Sequence, residues 1–105
     1  MIKKLRDIGR CAGKKSVTIP IHNFSKYRVI DQLEKVQEEY FELEASYREK
    51  ESIERTIEEA TDLIQATFNL IEMLSPGKVH EALQKHSEKM AKRGYAVKYE
   101  LEVLK

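Results

Sequence analysis

Val29, Leu33, Val36, Tyr40, Leu43 and Tyr47 recur at spacings of 4, 3, 4, 3 and 4. Only an α-helix returns side chains to one face at that rhythm, so this stretch is an amphipathic helix of about five turns. Ser25 is the N-cap expected at its start. A second helix is expected from Ser52 to Leu74. Its main stripe is Ile53, Ile57, Ala60, Ile64, Thr67, Ile71 and Leu74, widened by Leu63 and Leu70. Glu59 and Asp62 fall instead on a separate sector with Ala66, Asn69 and Met73. A helix with two such sectors packs on two sides. Ser75-Pro76-Gly77 ends it. A third helix over Lys78–Arg93 carries Val79, Leu83, His86 and Met90, with Gly94 as its stop. The expected fold is all-α: an antiparallel helical bundle of three main helices. Two long helices carry the site, the third covers one end, and the whole assembles into a larger oligomeric bundle.

The chain of 105 residues is read as one helical domain: a basic arm over 1–24, a helical core over 25–94 and an extended tail over 95–105. Val17, Ile19 and Ile21 alternate with polar residues and Pro20. Val97, Tyr99, Leu101 and Val103 alternate with Lys98, Glu100 and Glu102. Period two is a strand signal, so a short β arm from the termini is expected. Gly9 to Ser16 fails the phosphate-loop spacing and reads as a solvated basic turn. No apolar run approaches the roughly 20 residues of a membrane span, and the start lacks a signal-peptide core. Cys11 is the single cysteine. These features point to a cytoplasmic, membrane-free protein.

Net charge is +1 but unevenly spread. Residues 34–62 carry eleven acids against four bases, while residues 1–28 carry eight bases against one acid. Within the acidic middle, Glu39 with Glu42 and Glu59 with Asp62 are pairs three residues apart, hence neighbours on a helix face. Four carboxylates converging between two helices repel one another by several kcal/mol per close pair, on the order of 4 at an effective dielectric of 20. A hard divalent cation offsets this, and Mg²⁺ takes oxygen ligands while keeping several waters. Isolated pairs of this kind are ordinarily solvated surface. Two of them at matching edges of successive amphipathic stripes are more specific.

Lys35-x-x-Glu38-Glu39-x-x-Glu42-Leu43 followed by Glu58-Glu59-x-x-Asp62-Leu63 resembles the MazG-like all-α nucleoside triphosphate pyrophosphohydrolases, whose signature is ExxE, a spacer, then ExxD. His86 to Tyr95, with its Lys92-Arg93-Gly94 ending, is similar to helix three of small phage and bacterial members. The resemblance covers roughly residues 29–95. It implies Mg²⁺-dependent cleavage of an NTP or dNTP to the monophosphate and pyrophosphate, with Mn²⁺ as a substitute metal. It implies Glu39, Glu42, Glu59 and Asp62 as metal ligands and Glu38 as a water-orienting base. Lys35, Lys89, Lys92 and Arg93 are then phosphate contacts, Asn69 meets base or sugar, and the protein is a homodimer or homotetramer. Plainer roles stand beside these. Lys35 could pair with Glu38 or Glu39, the other cations could complement a helix C-terminus, and Asn69 could be satisfied packing. Tyr40 reads as core, while Phe41 could face a subunit or ligand. His22, His80 and His86 have no zinc-site spacing. The alternative is a non-catalytic helical interaction or regulatory module. Nucleic-acid binding fits poorly with an acidic centre.

Overall fold

A computed structural model describes residues 18–23 and 26–102. They form three α-helices: α1 over Val29–Arg48, α2 over Ile53–Leu74 and α3 over Val79–Lys92. The all-α expectation holds. The chain divides into two compact units, one spanning Pro20–Val79, which holds α1 and α2, and another that includes the residues from His80 onward.

The expected start at Ser25, which lies outside the described residues, gives way to Arg28, whose extended backbone makes it the N-cap of α1. Its N–H donates to Asp31 Oδ2 at 3.0 Å, and its guanidinium donates to both oxygens of the same carboxylate. A carboxylate at the third helical position satisfies an orphan N–H and complements the helix dipole. The Arg28 guanidinium holds Asp31 below the usual carboxylate range. Ser52 caps α2 as expected, its Oγ accepting from the Arg55 N–H at 3.1 Å. Gly94, at φ +74°, stops α3 in the left-handed region that glycine favours. Val79, Leu83 and Met90 of α3 are half-buried and His86 is exposed.

The packing of α1 on α2 departs from the apolar pattern. The buried residues of α1 are Gln32, Glu39 and Ser46, and those of α2 are Glu59, Ala66 and Asn69. On α1 they are seven residues apart, a repeat that keeps one line of side chains facing a partner helix. Gln32 Nε2 donates to the Ala66 carbonyl at 3.0 Å across 34 residues of chain, and Ser46 Oγ meets Thr56 Oγ1 at 2.8 Å across 10. The shrinking separation marks an antiparallel hairpin. Its seam is lined by small and polar groups, whose hydrogen bonds offset the loss of water. The sector expected to make a second contact on α2 is this seam.

The apolar stripes lie elsewhere. At about 100° per residue, the α1 stripe sits roughly 80° from the buried line and the α2 stripe roughly 120° from its own. In an antiparallel pair these offsets put both stripes on one side of the hairpin. That side is open: Leu33, Ile57 and Ile64 are 50%, 56% and 50% exposed. Tyr40, expected in the core, is 47% exposed, and its ring centroid lies 5.9 Å from that of Phe41. The one buried hydrophobic residue among those described is Ala66.

Among the described residues no strand forms, either in 18–23 or in 95–102. An unpaired strand has no ladder to stabilise it. The expected basic helix over 1–10, the turn at Gly9–Ser16, Val17 and Val103 lie outside the described residues.

If the seam is held by its polar pairs, Ser46→Ala leaves Thr56 without its partner and lowers stability by about 1 kcal/mol. Gln37→Ala, on the exposed side of α1, changes it by less than about 0.5 kcal/mol. Urea midpoints at one fixed protein concentration read both.

Candidate metal centre

The seam carries the acids inward. Glu39 and Glu59 are buried at 8% and 4% exposure, Glu39 in the middle of α1's buried line and Glu59 at the N-terminal end of α2's. Glu42 follows Glu39 by one turn at the exposed edge. One carboxylate oxygen from each of Glu39, Glu42 and Glu59 lies within 4.8 Å of the others. Three of the four expected ligands are thus brought together. Asp62 is exposed one turn beyond Glu59 and stays outside that group. On the helical wheel it lies on the same side of the seam as Glu42, away from the apolar face.

Two cations flank the cluster. Lys35 Nζ lies 3.0 Å from Glu38 Oε1 and 3.0 Å from Glu39 Oε2. Arg55 reaches Glu59 Oε2 at 2.5 Å, with Glu58 at 3.2 Å and Glu51 at 3.7 Å. Hydrogen bonds to Glu39 and then Glu38 push the Lys35 ammonium well above its ordinary pKa. The Arg55 guanidinium is raised first by its hydrogen bond to Glu58 and then by the charge of Glu59. Lys35 therefore makes both pairings open to it. Glu38 points outward into that exposed pair. Arg55 escaped the sequence reading. Its placement four residues before Glu59 was the available signal.

The cations leave one atom unanswered. Glu39 Oε1 is buried and has no hydrogen-bond partner, unlike Oε2, which faces Lys35. An unpaired buried carboxylate oxygen is costly and calls for an explanation. Two ionised carboxylates have no proton to share, so the approach of Glu42 to Glu39 becomes a hydrogen bond only when one is protonated. The charge of Glu39, followed by desolvation and by the charge of Glu59, accordingly pushes Glu42 above its ordinary value. An all-oxygen donor set, one orphaned buried oxygen and mutual repulsion fit a hard divalent cation.

The other expected site residues are dispersed. Asn69 is buried on α2, ten residues after Glu59, and bonds to His22 and Gln65. Lys89 and Lys92 occupy the last turn of α3 and Arg93 follows it, all exposed. Their role toward a helix dipole needs no ligand. His80 and His86 join no cluster of metal-ligating groups among the described residues. No protein-family model, curated protein or solved structure matches the chain significantly.

Glu42 gives a stability test with a defined sign. A carboxyl with a raised folded-state pKa favours the fold when protonated, and that contribution is lost as pH climbs from about its ordinary 4.5 through the raised value. Glu42→Gln is expected to raise the thermal midpoint of the chelator-treated protein at pH 7. The gain should vanish as pH falls below 4.5. Thermal unfolding in EDTA across that range checks it.

Proposed function

We propose that this chain is a Mg²⁺-dependent nucleotide pyrophosphohydrolase, cleaving an NTP or dNTP between the α and β phosphates. The observation that carries the reading is the buried Glu39 oxygen left without a partner beside Glu42 and Glu59. Those three residues would hold the metal, with Asp62 on the open rim as a fourth ligand. A bound Mg²⁺ would neutralise phosphate charge and lower the pKa of water.

The chain's own groups have separable tasks. The α1–α2 seam holds Glu39 and Glu59 at fixed positions, which preorganises the charge before substrate arrives. Lys35 and Arg55 pair with the flanking oxygens and steer an anionic substrate toward the open side. Glu38 is the base for the attacking water, accepting its proton as the oxygen bonds to the α-phosphorus. The α–β bridging bond then breaks and pyrophosphate leaves.

The exposed apolar side of the hairpin supports a homo-oligomer. With one buried hydrophobic residue described, each hairpin gains a core by covering that side with a second copy. The cluster opens on the opposite side, so such assembly leaves it accessible. The protein is assigned to the cytoplasm; among the described residues, no helix is long and apolar enough to cross a membrane. A second reading, a non-catalytic helical module, is favoured by the pairing of Lys35 with Glu39 and Arg55 with Glu59.

The decisive assay is pyrophosphate release from a panel of NTPs and dNTPs with and without Mg²⁺, run beside sedimentation of the protein. At least one nucleotide should be hydrolysed only with metal. Release should fall by more than about 100-fold in a folded Glu42→Gln, Asp62→Asn variant. No release from any nucleotide by a folded oligomer would transfer the assignment to the module.

A further inference from the structure

The tail that follows α3 supplies no residue to the seam or to the carboxylate cluster. Its Tyr95, Val97, Tyr99 and Leu101 are 64%, 66%, 55% and 66% exposed, and residues 95–102 belong to no helix or strand. Lys98, Glu100 and Glu102 alternate with that apolar row. Such a period-two pattern suits a strand with one covered face, and a lone strand has no ladder to hold it. The pattern therefore calls for a partner strand.

The arm before α1 does not fit that role. Pro20 has no N–H to give, its carbonyl accepts from Gln65 Nε2, and the His22 N–H donates to Asn69 Oδ1. Residues 18–23 also carry no acid, lysine or arginine to answer Lys98 and Glu100. A second tail answers both. In an antiparallel pair centred on Tyr99, Lys98 of each copy faces Glu100 of the other, Val97 faces Leu101, and Tyr99 faces the other Tyr99. The same residues then serve both copies, as a two-fold contact requires. Charge selects this register. Sliding by two residues sets Lys98 against Lys98 or Glu100 against Glu100, and a parallel pair in register does both. Sliding by one turns the apolar row to the opposite face.

We propose that residues 96–102 of two copies of this chain pair as an antiparallel β-ribbon centred on Tyr99. The chain bends at Lys98, and the ladder draws it straight. A two-stranded ribbon alone is marginal in water. The pairing therefore rests on the homo-oligomeric reading of the hairpin's apolar side: copies already joined there raise the effective concentration of one tail for the other. The ribbon orders both tails and gathers their apolar side chains on one face.

Single cysteines in the full chain carrying Cys11→Ser, oxidised mildly beside sedimentation equilibrium, test the pairing. Tyr99→Cys should form a covalent dimer at least about 5-fold faster than Val97→Cys, whose two copies lie four residues apart along the ribbon, roughly 13 Å. Added to Tyr99→Cys, either Lys98→Glu or Glu100→Lys should slow coupling about 3- to 10-fold. Mixing those two chains should restore it, because each then faces its opposite charge. Equal coupling at 97 and 99, or a mixture no faster than either variant alone, overturns the proposal. Equal coupling in a protein that sediments as an oligomer defeats the ribbon and leaves the homo-oligomer standing. Equal coupling in a protein monomeric at every concentration defeats both.

Discussion

The contact between Glu39 of α1 and Glu59 of α2 is the constraint around which the hairpin is arranged. Two buried carboxylates facing each other across a seam are held there by hydrogen bonds on either side, Gln32 to Ala66 and Ser46 to Thr56. Lys35 and Arg55 then answer their flanking oxygens. Glu42 joins at the edge, and the resulting repulsion appears as its raised pKa. Ordinary stability would place hydrophobic residues on this line. Spending the central contact of a small hairpin on acids makes chemical sense if the acids are the purpose of the hairpin.

The polar seam also explains the outer surface. Because the helices meet through Gln32, Glu39 and Ser46, the isoleucines and leucines of both helices are displaced to one common side. The site and the hydrophobic side therefore point in opposite directions. Such a division lets a second copy add stability without blocking access to the carboxylates. It also ties the two faces together: a shift of the seam by one residue would expose Glu39 and bury part of the stripe.

Much of the helical order was legible in the sequence. The 3–4 spacing gave two long helices, and Ser52 and Gly94 marked ends that the structure keeps. The convergence of Glu39, Glu42 and Glu59 followed from their helical positions. What periodicity missed was which face meets which. Hydrophobic spacing identified the stripe and left the packing partner open, while the seven-residue recurrence of Gln32, Glu39 and Ser46 carries no hydropathy signal. The cap moved to Arg28 because a local ion pair with Asp31 competes with generic serine preference. Asp62 is exposed and stays outside the cluster, although Glu42, at the matching position one turn past Glu39, joins it. The clasp of His22 on Asn69 joins residues 47 apart and had no local pattern to betray it.

We propose that the seam's carboxylates Glu39, Glu42 and Glu59 form a single divalent-cation site. The most direct measurement is paramagnetic line broadening by substoichiometric Mn²⁺ in ¹H–¹⁵N spectra of the full chain. Broadening should centre on residues 39, 42 and 59, spread to 62, and be reversed by excess Mg²⁺. Broadening scattered over exposed acids such as Glu34, Glu54 and Glu88, with the seam untouched, would contradict it.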